Sequence, residues 1–233
     1  MKRILREEVI LSGAVLLLAG LGPNLFPVAQ AGIAKLSHLA WIILLPSILM
    51  LIATVMFATW RGHERLTNRV VAGAGIGLVA TLGLEVVRAT SFRLGGMPGD
   101  MPRLLGVLLT DRFMTGPSLL SDVLGWSYHF WNGICFGVIF TVLLGHRSVL
   151  WAVVYGQLIG IGFLASPAVE ALGIGFMGFG MPAMPLTVAA AHLAFGVLLG
   201  VLTRRFVRED GWLLHVSTDS ERWDRTRMAS ARD

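Results

Sequence analysis

The stretches HFWNGICFG at residues 129–137 and HLAFGVLLG at residues 192–200 decide the fold of this 233-residue chain. Both read His-x3-Gly-x3-Gly, and both lie inside long apolar runs. Because residues four apart share one face of a helix, each stretch predicts a helix with two glycines and one imidazole on the same face. Glycines at this spacing let membrane helices approach each other closely. The two stretches therefore predict closely packed transmembrane helices.

The composition extends this prediction to the whole chain. Apolar residues make up 55% of it and charged residues only 14%, whereas an average soluble domain has about 25% charged residues. A bilayer core requires about 20 consecutive apolar residues. Such runs occur at 9–28, 38–60, 70–92, 122–144, 149–168 and 186–203. We therefore expect an all-α fold, a polytopic transmembrane helical bundle of six spans.

The first run is the weakest of the six. Two prolines interrupt it within residues 22–27, so the helix can stop early, kink, or continue through an irregular segment. Its flanks also imitate a secretory signal, with basic residues before the run and Ala-Gln-Ala at 29–31 after it. Acidic Glu7 and Glu8 beside the run are atypical of a signal. We expect the segment to be retained as a span.

The distribution of basic residues predicts the orientation of the chain. If the N-terminus is cytoplasmic, fourteen lysines and arginines fall on the cytoplasmic side and four on the opposite side, with Arg88 inside the third run. This asymmetry follows the positive-inside rule. It predicts a multi-pass protein of the bacterial inner membrane with both termini cytoplasmic and the lipid bilayer as its surroundings. The basic residues form no aromatic-interleaved patch, so no nucleic-acid partner is expected.

The last four runs share a glycine pattern that the first two lack. Glycines four apart indicate a packing face in a membrane helix. We expect a four-helix core at 70–204 made of two parallel repeats, two N-terminal transmembrane helices at 1–69, and a cytoplasmic polar tail at 205–233. The glycine pairs are Gly73/Gly77, Gly133/Gly137, Gly156/Gly160 and Gly196/Gly200.

The two histidines of the repeat are candidates for a shared site. His129 and His192 each follow the predicted start of their span by a similar number of residues, which places both about 10 Å inside the bilayer boundary at 1.5 Å per residue. If the rings converge, they could ligate a haem iron or a transition metal. In the alternative interpretation, each imidazole bonds a neighbouring helix carbonyl or Asn132 as a polar contact between helices.

Glu85 and Arg88 are a second pair of polar residues inside an apolar run. Their spacing of three places them together on one helix face, so we expect a mutual ion pair. A functional interpretation makes Glu85 a proton or cation site. It makes Arg88 an anchor for a lipid headgroup or a haem propionate.

The two longer connections, 93–121 and 169–185, have distinctive features. Asp100 followed by Pro102 predicts the start of a short helix lying along the membrane interface. Methionines are frequent in both connections and could form an entrance for Cu(I), which prefers thioether ligands, or could simply fill irregular apolar gaps. These methionines are Met97, Met101, Met177, Met181 and Met184.

From the third run onward, the order of features is similar to that of small uncharacterised bacterial membrane-protein families. The resemblance rests on GWSYHFWNG at 125–133, Gly156, Pro167 and HLAFG at 192–196. It implies a multi-pass membrane protein and brings no established activity with it.

Three functions are consistent with these patterns. The leading expectation is a non-catalytic accessory or structural subunit that associates with other membrane subunits or with a second copy. The second is a redox subunit that binds haem b between His129 and His192, with Arg88 at a propionate. The third is a permease for copper or another cation that uses these histidines, the external methionines and Glu85. No catalytic nucleophile is apparent, so we do not expect an enzyme.

Overall fold

The computed structural model describes residues 2–207, with side chains from residue 7, and all regular structure in this part is helical. From residue 208 onward, the predicted cytoplasmic tail lies outside the described residues. The helices, in chain order, are α1 (Lys2–Gln30), α2 (Leu36–Leu39), a π-helical segment (Ala40–Leu44), α3 (Leu45–Trp60), α4 (Glu64–Arg93), α5 (Met101–Leu109), α6 (Leu119–Leu143), α7 (Val149–Leu164), α8 (Pro167–Glu170), a 3-10 turn (Phe176–Gly178) and α9 (Ala183–Phe206).

Within residues 2–207, four helical stretches are long and apolar enough to cross a membrane. The fourth and fifth predicted spans correspond to α6 and α7, which do not meet both conditions. Helix α7 is apolar but has only 16 residues. Helix α6 has 25 residues, but polar side chains such as His129 and Asn132 make its first half less apolar. The four stretches are Glu7–Gln30, Leu36–Trp60, Glu64–Arg93 and Ala183–Phe206.

Helix α1 continues through both of its prolines. It neither stops nor becomes irregular at Pro23 and Pro27, but remains helical to Gln30. Prolines are tolerated in apolar helices where neighbouring elements compensate for the disturbed backbone hydrogen bonds. Beside these prolines, the Tyr128 hydroxyl of α6 donates to the Gly22 carbonyl at 2.8 Å. The proline-containing end of α1 is therefore packed against α6.

The acidic pair near the start of α1 has a structural role. Glu7 accepts a hydrogen bond from Arg61 at 2.9 Å, and Glu8 accepts one from Arg65 at 2.9 Å. Arg61 lies in the turn between α3 and α4, and Arg65 lies in the first turn of α4. The pairs therefore connect the start of α1 to the α3–α4 hairpin.

Helices α4 and α6 pack closely through their glycines. A Cβ on Gly77 would overlap the carbonyl oxygen of Gly133, and a Cβ on Gly137 would overlap that of Gly73. The Thr141 hydroxyl of α6 extends this contact by donating to the Arg69 carbonyl of α4 at 2.9 Å. The glycine pairs of the third and fourth predicted spans thus form one interface.

Helices α7 and α9 form a second interface of the same kind. A Cβ on Gly196 would lie only 2.7 Å from the carbonyl oxygen of Ala152. The two glycine-packed pairs meet where α4 runs along α9, and there the hydroxyl oxygens of Ser91 and Thr187 lie 2.5 Å apart. The spatial order of these four helices is therefore α6, α4, α9, α7.

Helix α5 forms where Asp100 and Pro102 predict it, and it packs on the first half of α6. A Cβ on Gly106 of α5 or on Gly125 of α6 would overlap backbone of the facing helix. Asp100 immediately precedes α5, but its side chain makes no capping hydrogen bond. Instead, its Oδ1 lies 3.0 Å from Nη2 of Arg88. The chain after α4 therefore folds back over the end of that helix.

Candidate functional site

A cavity of about 420 Å³ lies between α1, α4, α5, α6, α7 and α9. Both histidines of the repeat, His129 and His192, line it, together with Arg88. The two imidazoles that the sequence singled out thus face one space in the fold. Most of the lining is apolar and includes Phe26, Leu84, Met97, Phe136, Phe163 and Phe195.

One end of the cavity holds a cluster of charged side chains. The guanidinium of Arg88 donates to both carboxylate oxygens of Glu85 at 2.7 Å each, so the predicted ion pair is present. Nε2 of His129 lies 2.8 Å from Oε1 of Glu85, and Asp100 contacts Arg88 on its other side. Because isolated buried charges are expensive, the four groups stabilise one another. The two carboxylates are balanced by the guanidinium and, when it is protonated, by the imidazole.

Three buried polar atoms of cavity-lining residues have no hydrogen-bond partner among the described residues. They are Nη1 of Arg88, Oδ1 of Asn132 and Nε2 of His129, the last of which lies against the Glu85 carboxylate. Leaving a buried polar group unsatisfied costs about 1–3 kcal/mol. A bound molecule that reached Nη1 of Arg88 or Oδ1 of Asn132 would satisfy a polar atom that has no partner.

His192 has a different environment from His129. Its Nδ1 lies 2.8 Å from the Val188 carbonyl of its own helix, and a carbonyl only accepts, so Nδ1 carries the hydrogen. In the neutral ring, Nε2 is then an acceptor. The ring packs on α7 at Gly160, where an added Cβ would lie 3.0 Å from the imidazole Cγ.

The two halves of the repeat therefore agree in glycine packing and differ in the partners of their histidines. Helix α4 presents Glu85 to His129, whereas α7 presents Gly160 to His192. The difference bears on the haem hypothesis, because iron bound at Nε2 of His129 would displace the Glu85 carboxylate.

The external methionines separate into two groups. Met177, Met181 and Met184 pack in an apolar cluster with Met97, and Met184 is 1% exposed. None of these three lines the cavity, whereas Met97 and Met101 do. Within residues 2–207, no group of three histidine, cysteine, aspartate or glutamate side chains could hold a metal ion. The three methionines pack within this apolar cluster, as thioether side chains commonly do.

Sequence reasoning missed two contributors to the site. Asp100 reaches Arg88 because the glycine-rich segment 95–99 turns the chain back toward α4, with Gly95 at a φ of +79°. Helix α1 contributes Phe26 and its two prolines to the cavity wall. The glycine-rich turn and the prolines in an apolar run were the available signals, since such prolines indicate packing against protein.

Comparison with protein-family models, with curated proteins and with solved structures finds no match to this chain. The similarity seen in the motifs at 125–133 and 192–196 therefore stays a prediction. The function is argued from the cavity and from the residues that line it.

Proposed function

We propose that this chain is an integral membrane protein that binds a small apolar molecule in the cavity between its two glycine-packed helix pairs. The main observation in support of this proposal is the cavity of about 420 Å³, which has a mostly apolar lining and a few polar groups, among them Arg88, Asn132 and His192. Small-molecule sites are typically concave and apolar, with volumes of about 300–1,000 Å³ and a small number of polar groups that fix orientation. The cavity has these properties.

A membrane location is supported by the outer surface of the bundle. Large apolar side chains of the Leu36–Trp60 helix are exposed, including Trp41 at 72%, Leu49 at 59% and Met56 at 68%. Such a surface is typical of contact with lipid or with another membrane helix. In this proposal α6 and α7 also cross the membrane, which gives six spans. The basic residues then place both termini on the cytoplasmic side of a bacterial inner membrane.

Binding in this proposal is non-catalytic and is compatible with the predicted role as an accessory or structural subunit. The exposed face of the Leu36–Trp60 helix would then contact other membrane subunits or a second copy. An organic ligand is favoured over haem b because Glu85 already engages Nε2 of His129. It is favoured over copper because Met177, Met181 and Met184 lie in the apolar cluster.

The proposal is tested by narrowing the cavity at its rim. Gly162 lines the cavity, is exposed, and has no atom within 4 Å of an added Cβ, so the first atom of a leucine side chain meets no backbone there. Gly13 on α1 is also exposed and open but lies away from the cavity. It therefore provides a matched Gly→Leu control.

The measurement is saturable binding of tritiated 2,3-dimethylnaphthalene to the full chain in lipid nanodiscs, with empty nanodiscs as background. Wild type and Gly13→Leu should bind with the same Kd. Gly162→Leu should bind at least about tenfold more weakly, which corresponds to about 1.4 kcal/mol. Equal binding by all three proteins, or no saturable binding of any apolar probe by the wild type, would refute the proposal.

A further inference from the structure

The guanidinium of Arg88 has one donor group left for a bound molecule. Its Nε and Nη2 are occupied by Glu85, and Nη2 also contacts Asp100. Nη1 is buried and has no hydrogen-bond partner within the described part of the chain. The Arg88 side chain is 7% exposed and lines the cavity. A hydrogen bond from a charged donor is stronger than one between neutral groups. A ligand acceptor that reaches Nη1 would therefore contribute strongly to binding.

The charges around Arg88 indicate what kind of acceptor fits. Glu85 and Asp100 both contact the guanidinium, and His129 contacts Glu85 from the other side. An anionic ligand would add a third negative charge beside two carboxylates in a weakly screened environment, where like charges repel strongly. An uncharged oxygen accepts the same hydrogen bond without this repulsion.

We infer that the molecule bound in the cavity is uncharged and accepts a hydrogen bond from Nη1 of Arg88 through a carbonyl oxygen, as a quinone does. This inference rests on the proposed function and specifies the chemical class of its ligand. Aromatic side chains on three different helices, Phe136, Phe163 and Phe195, line the remainder of the cavity. Aromatic rings pack favourably against other rings in offset or edge-to-face arrangements. A planar carbonyl compound therefore suits both the polar end and the apolar walls.

The test compares three ligands of one ring size on the wild-type full chain in nanodiscs. They are 2,3-dimethyl-1,4-naphthoquinone, the hydrocarbon 2,3-dimethylnaphthalene and the anion 2-naphthoate, and the Kd of each is measured by direct binding of tritiated material. Since a hydrogen bond to a charged group contributes about 1.5–3 kcal/mol, the quinone should bind about ten- to a hundredfold more tightly than the hydrocarbon. The naphthoate should bind more weakly than the quinone.

Two variants identify the donor. Arg88→Gln should reduce the preference for the quinone over the hydrocarbon to less than about threefold, because the charged donor is absent. Arg103→Gln removes an exposed arginine that pairs with Asp122 outside the cavity, so it should retain the full preference. Size-exclusion chromatography and circular dichroism check that both variants are folded. If Arg88→Gln does not fold, the three-ligand comparison on the wild type still tests whether the cavity prefers an uncharged carbonyl compound.

The outcomes separate this inference from the proposed function. Saturable hydrocarbon binding with no preference for the quinone would overturn the carbonyl inference and leave the apolar binding site intact. Tighter binding of the naphthoate than of the quinone would also overturn it, in favour of an anion site. Failure of all three compounds to bind would refute the proposed function itself.

Discussion

Replacing Gly77 by alanine would place a methyl group where α4 and α6 approach most closely. The added Cβ would overlap the carbonyl oxygen of Gly133 and lie 3.0 Å from the Cα of Gly137. Both are backbone atoms, so no side-chain rotation can relieve the contact and the helices have to separate. Gly75, two residues earlier on the same helix, has no atom within 4 Å of an added Cβ. The variants Gly77→Ala and Gly75→Ala therefore carry the same substitution on the same helix and differ in the atoms that the added methyl group contacts.

The expected magnitudes follow from this geometry. Ordinary van der Waals contact begins at 3.4 Å, so α4 and α6 must move apart by at least several tenths of an ångström at Gly77. Overpacking of this kind typically costs about 1–3 kcal/mol. Alanine gains about 0.5–1 kcal/mol over glycine inside a helix. Gly77→Ala should thus lower the free energy of unfolding by about 1–2 kcal/mol, and Gly75→Ala should leave it unchanged or raise it by up to about 1 kcal/mol.

The assay is reversible unfolding of the purified full chain in mixed detergent micelles, followed by circular dichroism. The two variants should differ by about 2 kcal/mol in their free energies of unfolding. Equal values for Gly77→Ala and Gly75→Ala would show that α4 and α6 do not approach through their glycines. That result would refute the packing on which the position of the cavity depends.

Three further changes can be measured in the same unfolding assay. Gly196→Leu forces a large side chain against the backbone of α7 and should cost about 3 kcal/mol; an unaffected stability would mean that this glycine strip faces lipid. Glu85→Gln removes the nearest carboxylate of the buried Arg88 while Asp100 remains beside it, and it should cost about 1.5–3 kcal/mol, the contribution of a hydrogen bond to a charged group; a loss below about 1 kcal/mol would indicate that the pair is open to water. Tyr128→Phe removes the hydrogen bond to the Gly22 carbonyl and should cost about 1 kcal/mol; a neutral effect would indicate that α1 does not pack on α6 there.

Features that depend on local spacing could be predicted from the sequence. A four-residue period places both glycines of each pair on one helix face whatever the rest of the fold does, and the helices do pack through these faces. The ion pair between Glu85 and Arg88 is likewise a property of one helix, because residues three apart are neighbours on its surface. Neither feature depends on how distant parts of the chain come together.

The partners of the site residues could not be predicted, because distant parts of the chain supply them. Glu85 and His129 are separated by 44 positions in the chain and meet only because α4 and α6 pack antiparallel. The contact of Arg88 with Asp100 depends on the path of the 94–100 turn. The sequence predicts six spans, and within residues 2–207 four helical stretches qualify by length and hydropathy, because α7 is short and the polar side chains of α6 make its first half less apolar. Periodicity does not show which side of a helix faces protein.

Crystals of the full chain soaked with 2-bromonaphthalene test the central claim most directly, because the anomalous signal of bromine locates the bound molecule. The peak should lie in the cavity lined by Arg88, His129 and His192. It should be lost in the Gly162→Leu variant and retained in Gly13→Leu. A bromine bound only on the outer surface of the helices, with the cavity unoccupied, would contradict the assignment of this cavity as the ligand site.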